Sequence, residues 1–153
     1  MEQELEFDLI TEQYPYELLL LADETKEAID RYLYDADVYT VKESGTIIAV
    51  FCLLRVDALT VELKNIAVAE PYQGKGMGSA LLSFIKKLCA GTCSSIIVGT
   101  PDCAHAQLRF YRKNGFKDCS VRKDFYLHNY SEPIYENGTL LRDMLVLKYE
   151  LNI

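Results

Sequence analysis

The order of apolar and polar positions predicts strands and helices in one alternating series. Leu5, Phe7 and Leu9 alternate with polar neighbours, the period of a half-buried strand. Pro15 opens a helical stretch with Leu18, Leu19 and Ala22 on its apolar face. Thr25 is placed to cap a second helix carrying Ala28, Ile29, Tyr32 and Leu33. Residues 38–42 and 46–56 are rich in β-branched side chains and are joined by Glu43-Ser44-Gly45, a hairpin pattern. A third run, Leu59 to Val68, completes a meander. Leu81, Leu82, Ile85 and Leu88 then recur at helical spacing, and Gly91 sits where a helix ends. Ser95 to Gly99 reads as a buried strand, residues 107–113 as an amphipathic helix closed by Asn114-Gly115. Phe116 opens the next strand and Leu140 to Tyr149 is the last. The pattern predicts one α/β domain over residues 1–153: a mixed, mostly antiparallel sheet of about seven strands with about four helices.

Charge changes this picture more than length does. The 153 residues carry a formal net charge of −7, which argues against a nucleic-acid binder. Residues 1–50 hold thirteen acids and three bases, so the acidity belongs to the first third alone. Met1 leads into Glu2, Glu4, Glu6 and Asp8, the opposite of a basic signal-peptide start, so a cytoplasmic chain is expected. No apolar run approaches the roughly 20 residues of a membrane helix, and no membrane partner is expected. Five cysteines without a C-x-x-C pair read as free thiols, and two distant histidines give no metal centre.

The sharpest chemical feature lies between the third meander strand and the next helix. Gln73-Gly74-Lys75-Gly76-Met77-Gly78 places three alternating glycines at a helix start. Glycine lets a ligand approach the main chain, and the first helical N–H groups attract anions. The spacing excludes a P-loop, because the Gly74-Lys75 pair is followed by Gly76. It also excludes a dinucleotide fingerprint, because the third glycine arrives one residue early and the preceding strands form a meander. An anion site and a loop packed closely on the sheet both fit the glycines.

The six residues fit the pattern [QR]-x-x-G-x-[GA] and so resemble the GNAT superfamily of N-acetyltransferases. Ile66-Ala67-Val68 looks like that family's strand end, and Phe110-Tyr111-Arg112-Lys113-Asn114-Gly115-Phe116 resembles its later Y-x-x-x-G-F signature. The element order agrees over nearly the whole chain. The resemblance implies an acetyl-CoA cofactor. Its pyrophosphate would lie on the main chain of Gln73, Gly74, Lys75, Gly76, Met77, Gly78 and Ser79. Its pantetheine arm would run along Ile66, Ala67 and Val68, where the strands Leu59–Val68 and Ser95–Gly99 splay apart.

The implied reaction moves an acetyl group to a primary amine by direct attack in a ternary complex. An alkylammonium with a pKa of about 10.4 is neutral in about one molecule in a thousand at pH 7.4, a handicap of roughly 4 kcal/mol. Glu62, on the strand leading to Ile66, or ordered water is the expected collector of that proton. Tyr111, a phenol protonated at neutral pH, is the expected acid toward the leaving sulfur. Cys103 has no histidine partner placed by the sequence, so a covalent route is not expected. Strict alternation puts Asn65 on the opposite side from Glu62 unless a bulge intervenes. Family members often carry an asparagine seven residues before the tyrosine; here that slot is Ala104, with Asp102 and Gln107 as substitutes.

The polar, aromatic stretch Tyr126–Asp143 is the expected acceptor wall, with Tyr130, Glu132, Tyr135 and Glu136 as lining residues. Those carboxylates and the N-terminal acids suit a small cationic amine. A protein or peptide acceptor and a catalytically silent CoA-binding domain are the alternatives, and a homodimer is compatible with either.

Overall fold

The computed structural model describes residues 5–151, so Glu2 and Glu4 of the acidic leader lie outside the described residues. The described elements run in the order expected: β1 (Leu5–Ile10), α1 (Tyr16–Ala22), α2 (Lys26–Leu33), β2 (Asp37–Glu43), β3 (Thr46–Arg55) and β4 (Thr60–Val68). A 3-10 turn at Glu70–Tyr72 leads to α3 (Met77–Cys89), β5 (Ser95–Pro101), α4 (His105–Lys113) and β6 (Lys117–Arg122). α5 (Phe125–Asn129), the short strands β7 (Tyr135–Glu136) and β8 (Thr139–Leu140), and β9 (Met144–Glu150) follow. Among the described residues no helix is long and apolar enough to cross a membrane.

Seven strands form one sheet in the order β1-β2-β3-β4-β5-β9-β6, antiparallel except where β4 meets β5. Its two faces bury different helices. One packs Phe51, Leu53, Val61 and Leu63 against Leu81, Leu82 and Ile85 of α3 and Leu108 of α4. The other packs Val38, Val50 and Cys52 against Leu19 of α1 and Ile29 and Leu33 of α2. Each fully buried side chain of this size contributes roughly 1.5–3 kcal/mol.

Local sequence sets the helix ends. The Thr25 hydroxyl accepts from Ala28 N–H at 3.1 Å, the expected cap, worth about 1 kcal/mol. Pro15 stands one place ahead of α1 rather than inside it. α3 begins on Gly76 in the left-handed region with no acid in its first turn, while Lys86 and Lys87 in its last turn suit the negative end of its dipole.

Two features depart from the sequence pattern. The last strand begins at Met144, not Leu140, because Leu141 turns inward under Tyr126 and Met144 in a separate small core. A fifth helix, α5, and the β7–β8 hairpin fill the stretch between β6 and β9. The glycines of the turn also divide. A Cβ at Gly74 or Gly76 would meet nothing within 4 Å, whereas one at Gly78 would sit 3.0 Å from the Phe110 ring. Gly78 therefore serves the contact of α3 with α4.

Gly78→Val is expected to lower stability by about 1–3 kcal/mol through overpacking. Adding Phe110→Leu should return part of that loss, read as the coupling between the two sites in urea denaturation.

Candidate active site

β4 pairs with β5 only from Thr60↔Ser95 to Leu63↔Val98. Beyond that the strands part, as expected for Leu59–Val68 and Ser95–Gly99. The cause is a bulge: β3 pairs Leu53 with Leu63 and Cys52 with Asn65, leaving Lys64 as an extra residue. The bulge reverses the alternation, so Asn65 shares the α1–α2 face with Glu62, and Ile66 and Val68 rejoin Val61 and Leu63 on the other face. The bulge is the condition under which Asn65 was expected to leave the opposite side. The phase change was visible in the sequence, since the apolar positions step from 61 and 63 to 66 and 68.

The parted strands leave an open main-chain edge. Ala69 N–H donates to Ile48 C=O at 2.8 Å, and antiparallel ladders alternate, so Ala67 and Ala69 turn their main chain toward β3. Ile66 and Val68 then present theirs to the gap. Gln73 Nε2 donates to Val68 C=O at 2.8 Å, so its side chain fixes the turn to the strand end. Past the turn, Gly74 and Gly76 have φ of +73° and +80° with open space above them. The first intrahelical bond of α3 runs from Ala80 N–H to Gly76 C=O, leaving the N–H groups of Met77, Gly78 and Ser79 without helical partners. Ser79 Oγ accepts from Asn114 Nδ2 at 3.2 Å, which ties it to the end of α4. An uncapped helix start, two unobstructed glycines and a free strand edge fit a pyrophosphate followed by an amide-bearing arm.

The gap opens into a cleft of about 660 Å³ that draws residues from both sheet faces. Tyr111 reaches it from α4, and Glu62, Lys64 and Asn65 from β4. Tyr111 is 6% exposed, and burial raises its phenol above the usual value. No side chain among the described residues takes its hydroxyl into a hydrogen bond.

Glu62 is differently placed. Both its oxygens are taken by Arg122, at 2.9 and 3.1 Å, and Lys64 Nζ lies 3.4 Å away. Burial alone would raise its carboxyl, but the Arg122 hydrogen bonds and the two cationic charges outweigh it and hold it below 4.5. Arg122 stands 60 positions away in sequence, and nothing in the pattern of β6 pointed to it.

The mouth of the cleft is acidic. Asp23 and Glu24, at the junction of α1 and α2, face Glu136 of β7. Burial, then the charges of Glu136 and Asp23, raise the Glu24 carboxyl. Asp23 accepts from Tyr130 at 2.7 Å and from Tyr32 at 3.1 Å, and Tyr32 in turn accepts from Asn65 Nδ2 at 3.1 Å. Tyr130 and Glu136 line the cleft, but Glu132 and Tyr135 do not: Glu132 lies exposed in the bend before β7 and Tyr135 exposed on the hairpin. Gln107 lines the cleft beside Tyr111, whereas Asp102 points to solvent and Ala104 is buried at the start of α4. Tyr126, which opens the stretch expected as the acceptor wall, lines the cleft, whereas Asp23, Glu24 and Tyr32 were not singled out individually from the sequence. Among the described residues no group of three or more His, Cys, Asp or Glu side chains is arranged to hold a metal ion.

Comparison with known proteins agrees with this geometry. Residues 34–118 match the acetyltransferase (GNAT) domain family. The N-acetyltransferase YvbK of Bacillus subtilis (strain 168) is 40% identical over 137 residues, covering 89% of this chain and 88% of that protein. A GNAT family acetyltransferase from Elizabethkingia anophelis, with acetyl-CoA bound in its crystal structure, is 39% identical. It superposes with a TM-score of 0.91 over 96% of this chain and 98% of that one. An acetyltransferase of Bacillus subtilis in complex with CoA is 37% identical, with a TM-score of 0.84 over 97% of this chain and 100% of that one. The parted strands, the glycine turn and these relatives lead to one conclusion: the chain belongs to the GNAT family of acetyltransferases and uses acetyl-CoA.

Proposed function

We propose that the chain transfers the acetyl group of acetyl-CoA to a small cationic primary amine by direct attack, with both substrates in the cleft together. The observation that carries the small-acceptor reading is the 2.7 Å hydrogen bond from Tyr130 to Asp23. It joins the β6–β9 connection to the α1–α2 junction across the mouth, where a peptide acceptor would need an open groove.

Acetyl-CoA, when bound, supplies the acetyl group as a thioester and a sulfur that departs as thiolate. The main chain of Gly74, Lys75, Gly76, Met77, Gly78 and Ser79 holds its pyrophosphate, and Ile66 and Val68 hold the arm through their open edge. Ala67 and Gln73 support this cradle indirectly, Ala67 by pairing with β3 and Gln73 by its bond to Val68.

Tyr111 hydrogen-bonds the sulfur as its charge develops. A thiol with pKa of about 8.5 is a stronger acid than a phenol above about 10, so full proton transfer from Tyr111 runs uphill. Its contribution is a preorganised hydrogen bond in a site shielded from water. Glu62, locked by Arg122 and lowered, is a poor collector of the amine's proton. Its place in this proposal is electrostatic: it fixes Lys64 and Arg122 beside the reacting groups. The proton leaves through water toward the mouth, where Glu24 is the carboxylate whose proton affinity is raised.

Thiol release from acetyl-CoA against a panel of small primary amines and peptides tests the reading. Turnover with small amines is expected, and turnover with peptides alone would overturn it. Tyr111→Phe should lower kcat on the order of 10²-fold with the KM for acetyl-CoA little changed, in steady-state kinetics. Gly76→Val should weaken CoA binding at least about tenfold by calorimetry, because the added side chain fills the cradle and strains a left-handed position.

Glu62 also gives a pH signature. Its folded carboxyl lies below 4.5, so its stabilising contribution is present above that value and fades as pH falls through the folded value. Arg122→Met should leave burial opposed by Lys64 alone and move the carboxyl upward, visible by carbon NMR titration. The stability gap between wild type and Arg122→Met should then widen as pH rises from about 3 to about 6 in urea denaturation.

A further inference from the structure

Asn65 is 3% exposed, and its Oδ1 is one of two buried side-chain polar atoms among the described residues with no hydrogen-bond partner. The amide cannot be turned over to relieve this. Nδ2 donates to Leu19 C=O at 3.0 Å, and a carbonyl only accepts, so the flipped amide would set two oxygens against each other. Tyr32 accepts a second bond from the same Nδ2 at 3.1 Å and donates its own hydroxyl hydrogen bond to Asp23 at 3.1 Å. Oδ1 is therefore held in place by the chain Asn65–Tyr32–Asp23–Tyr130. Leaving such an acceptor buried and unpaired costs about 1–3 kcal/mol.

The same cleft contains what an amine requires. Asn65 lines it three residues after Glu62, on the face the Lys64 bulge selects. Asp23, Glu24 and Glu136 put negative charge at the mouth; Arg31 and Lys64 are the basic residues that also line the cleft, and Lys64 is engaged with Glu62 at 3.4 Å. Leu20 and Leu21 also line it, at 43% and 57% exposed, and offer apolar surface beside the acids. We propose that Asn65 Oδ1 is the seat of the acceptor's nitrogen, taking one N–H of a primary amine that carries a short apolar arm. The arm lies on Leu20 and Leu21 while the three carboxylates face the ammonium charge. This assignment rests on the small-amine reading above and adds the residue that orients the nucleophile.

The probes are pentylamine and phenethylamine, each with its N,N,N-trimethyl analogue, which keeps the charge and loses every N–H. With acetyl-CoA saturating, Asn65→Leu should raise the KM for the primary amines at least about tenfold, the loss of one hydrogen bond to a charged group. Its affinity for CoA by calorimetry should stay within about twofold. On the wild type, the trimethyl analogues should inhibit at least about tenfold more weakly than the parent amines bind, and Asn65→Leu should erase that difference.

Thiol release with an unchanged amine KM in Asn65→Leu, or equal binding of parent and trimethyl analogue to the wild type, overturns the Asn65 assignment alone. No thiol release with any amine overturns the small-amine reading and this assignment together. If Asn65→Leu does not fold, the wild-type comparison of parent and trimethyl analogue decides.

Discussion

Everything in this molecule depends on a parallel ladder that stops early. β4 and β5 hold together for four residue pairs and then separate at the bulged Lys64. A continuous ladder would satisfy the main chain of Ile66 and Val68 within the sheet and leave nothing to offer a ligand. It would also seal the sheet between its two helix layers. Because the ladder opens, Tyr111 from the α3–α4 side and Glu62 and Asn65 from the α1–α2 side look into one cleft. Two half-sites on opposite faces become one site through a single extra residue.

The cleft also carries a gradient of charge. At its inner end the Glu62 carboxylate is covered by Arg122 and Lys64. At the mouth three carboxylates stand together with one arginine. The net charge of −7 averages over these environments. From Glu62 to Lys123 the sequence carries four acids and ten bases, and that segment supplies the glycine turn and both helices beside it. The acidic first third supplies Asp23 and Glu24 to the opposite end. The anionic cofactor and the cationic acceptor proposed for it would thus meet fields of opposite sign along one axis.

The sheet and its four longer helices were legible because each has a period long enough to count. The run Thr46–Arg55 is apolar and β-branched, and Leu81, Leu82 and Ile85 repeat at helical spacing. α5 has five residues and β7 and β8 two each, too few for any period to register. That shortfall is why the last strand was placed four residues early and why Glu132 and Tyr135 were assigned to a wall they do not join. The glycine turn was legible as a motif, but only packing separates Gly78, which Phe110 crowds, from Gly74 and Gly76, which nothing crowds. Glu62 was legible as a cleft residue and not as one already engaged, because the Arg122 contact crosses 60 positions of chain. The side on which Asn65 lies was legible only as a condition on a bulge, which the shift of apolar phase at Lys64 marks.

The bond between Tyr130 and Asp23 joins positions 107 residues apart and spans the entrance where the acceptor passes. A phenol donating to a carboxylate contributes about 1.5–3 kcal/mol, a factor of roughly 10 to 100 in an equilibrium. An amine that fits beneath this bridge binds with the bridge intact. A bulkier one must first break it and bears that full factor before any contact of its own counts. On the small-amine reading proposed above, one tyrosine hydroxyl thereby acts as a turnstile, setting an energetic threshold on acceptor size that does not depend on the shape of the cleft beyond it.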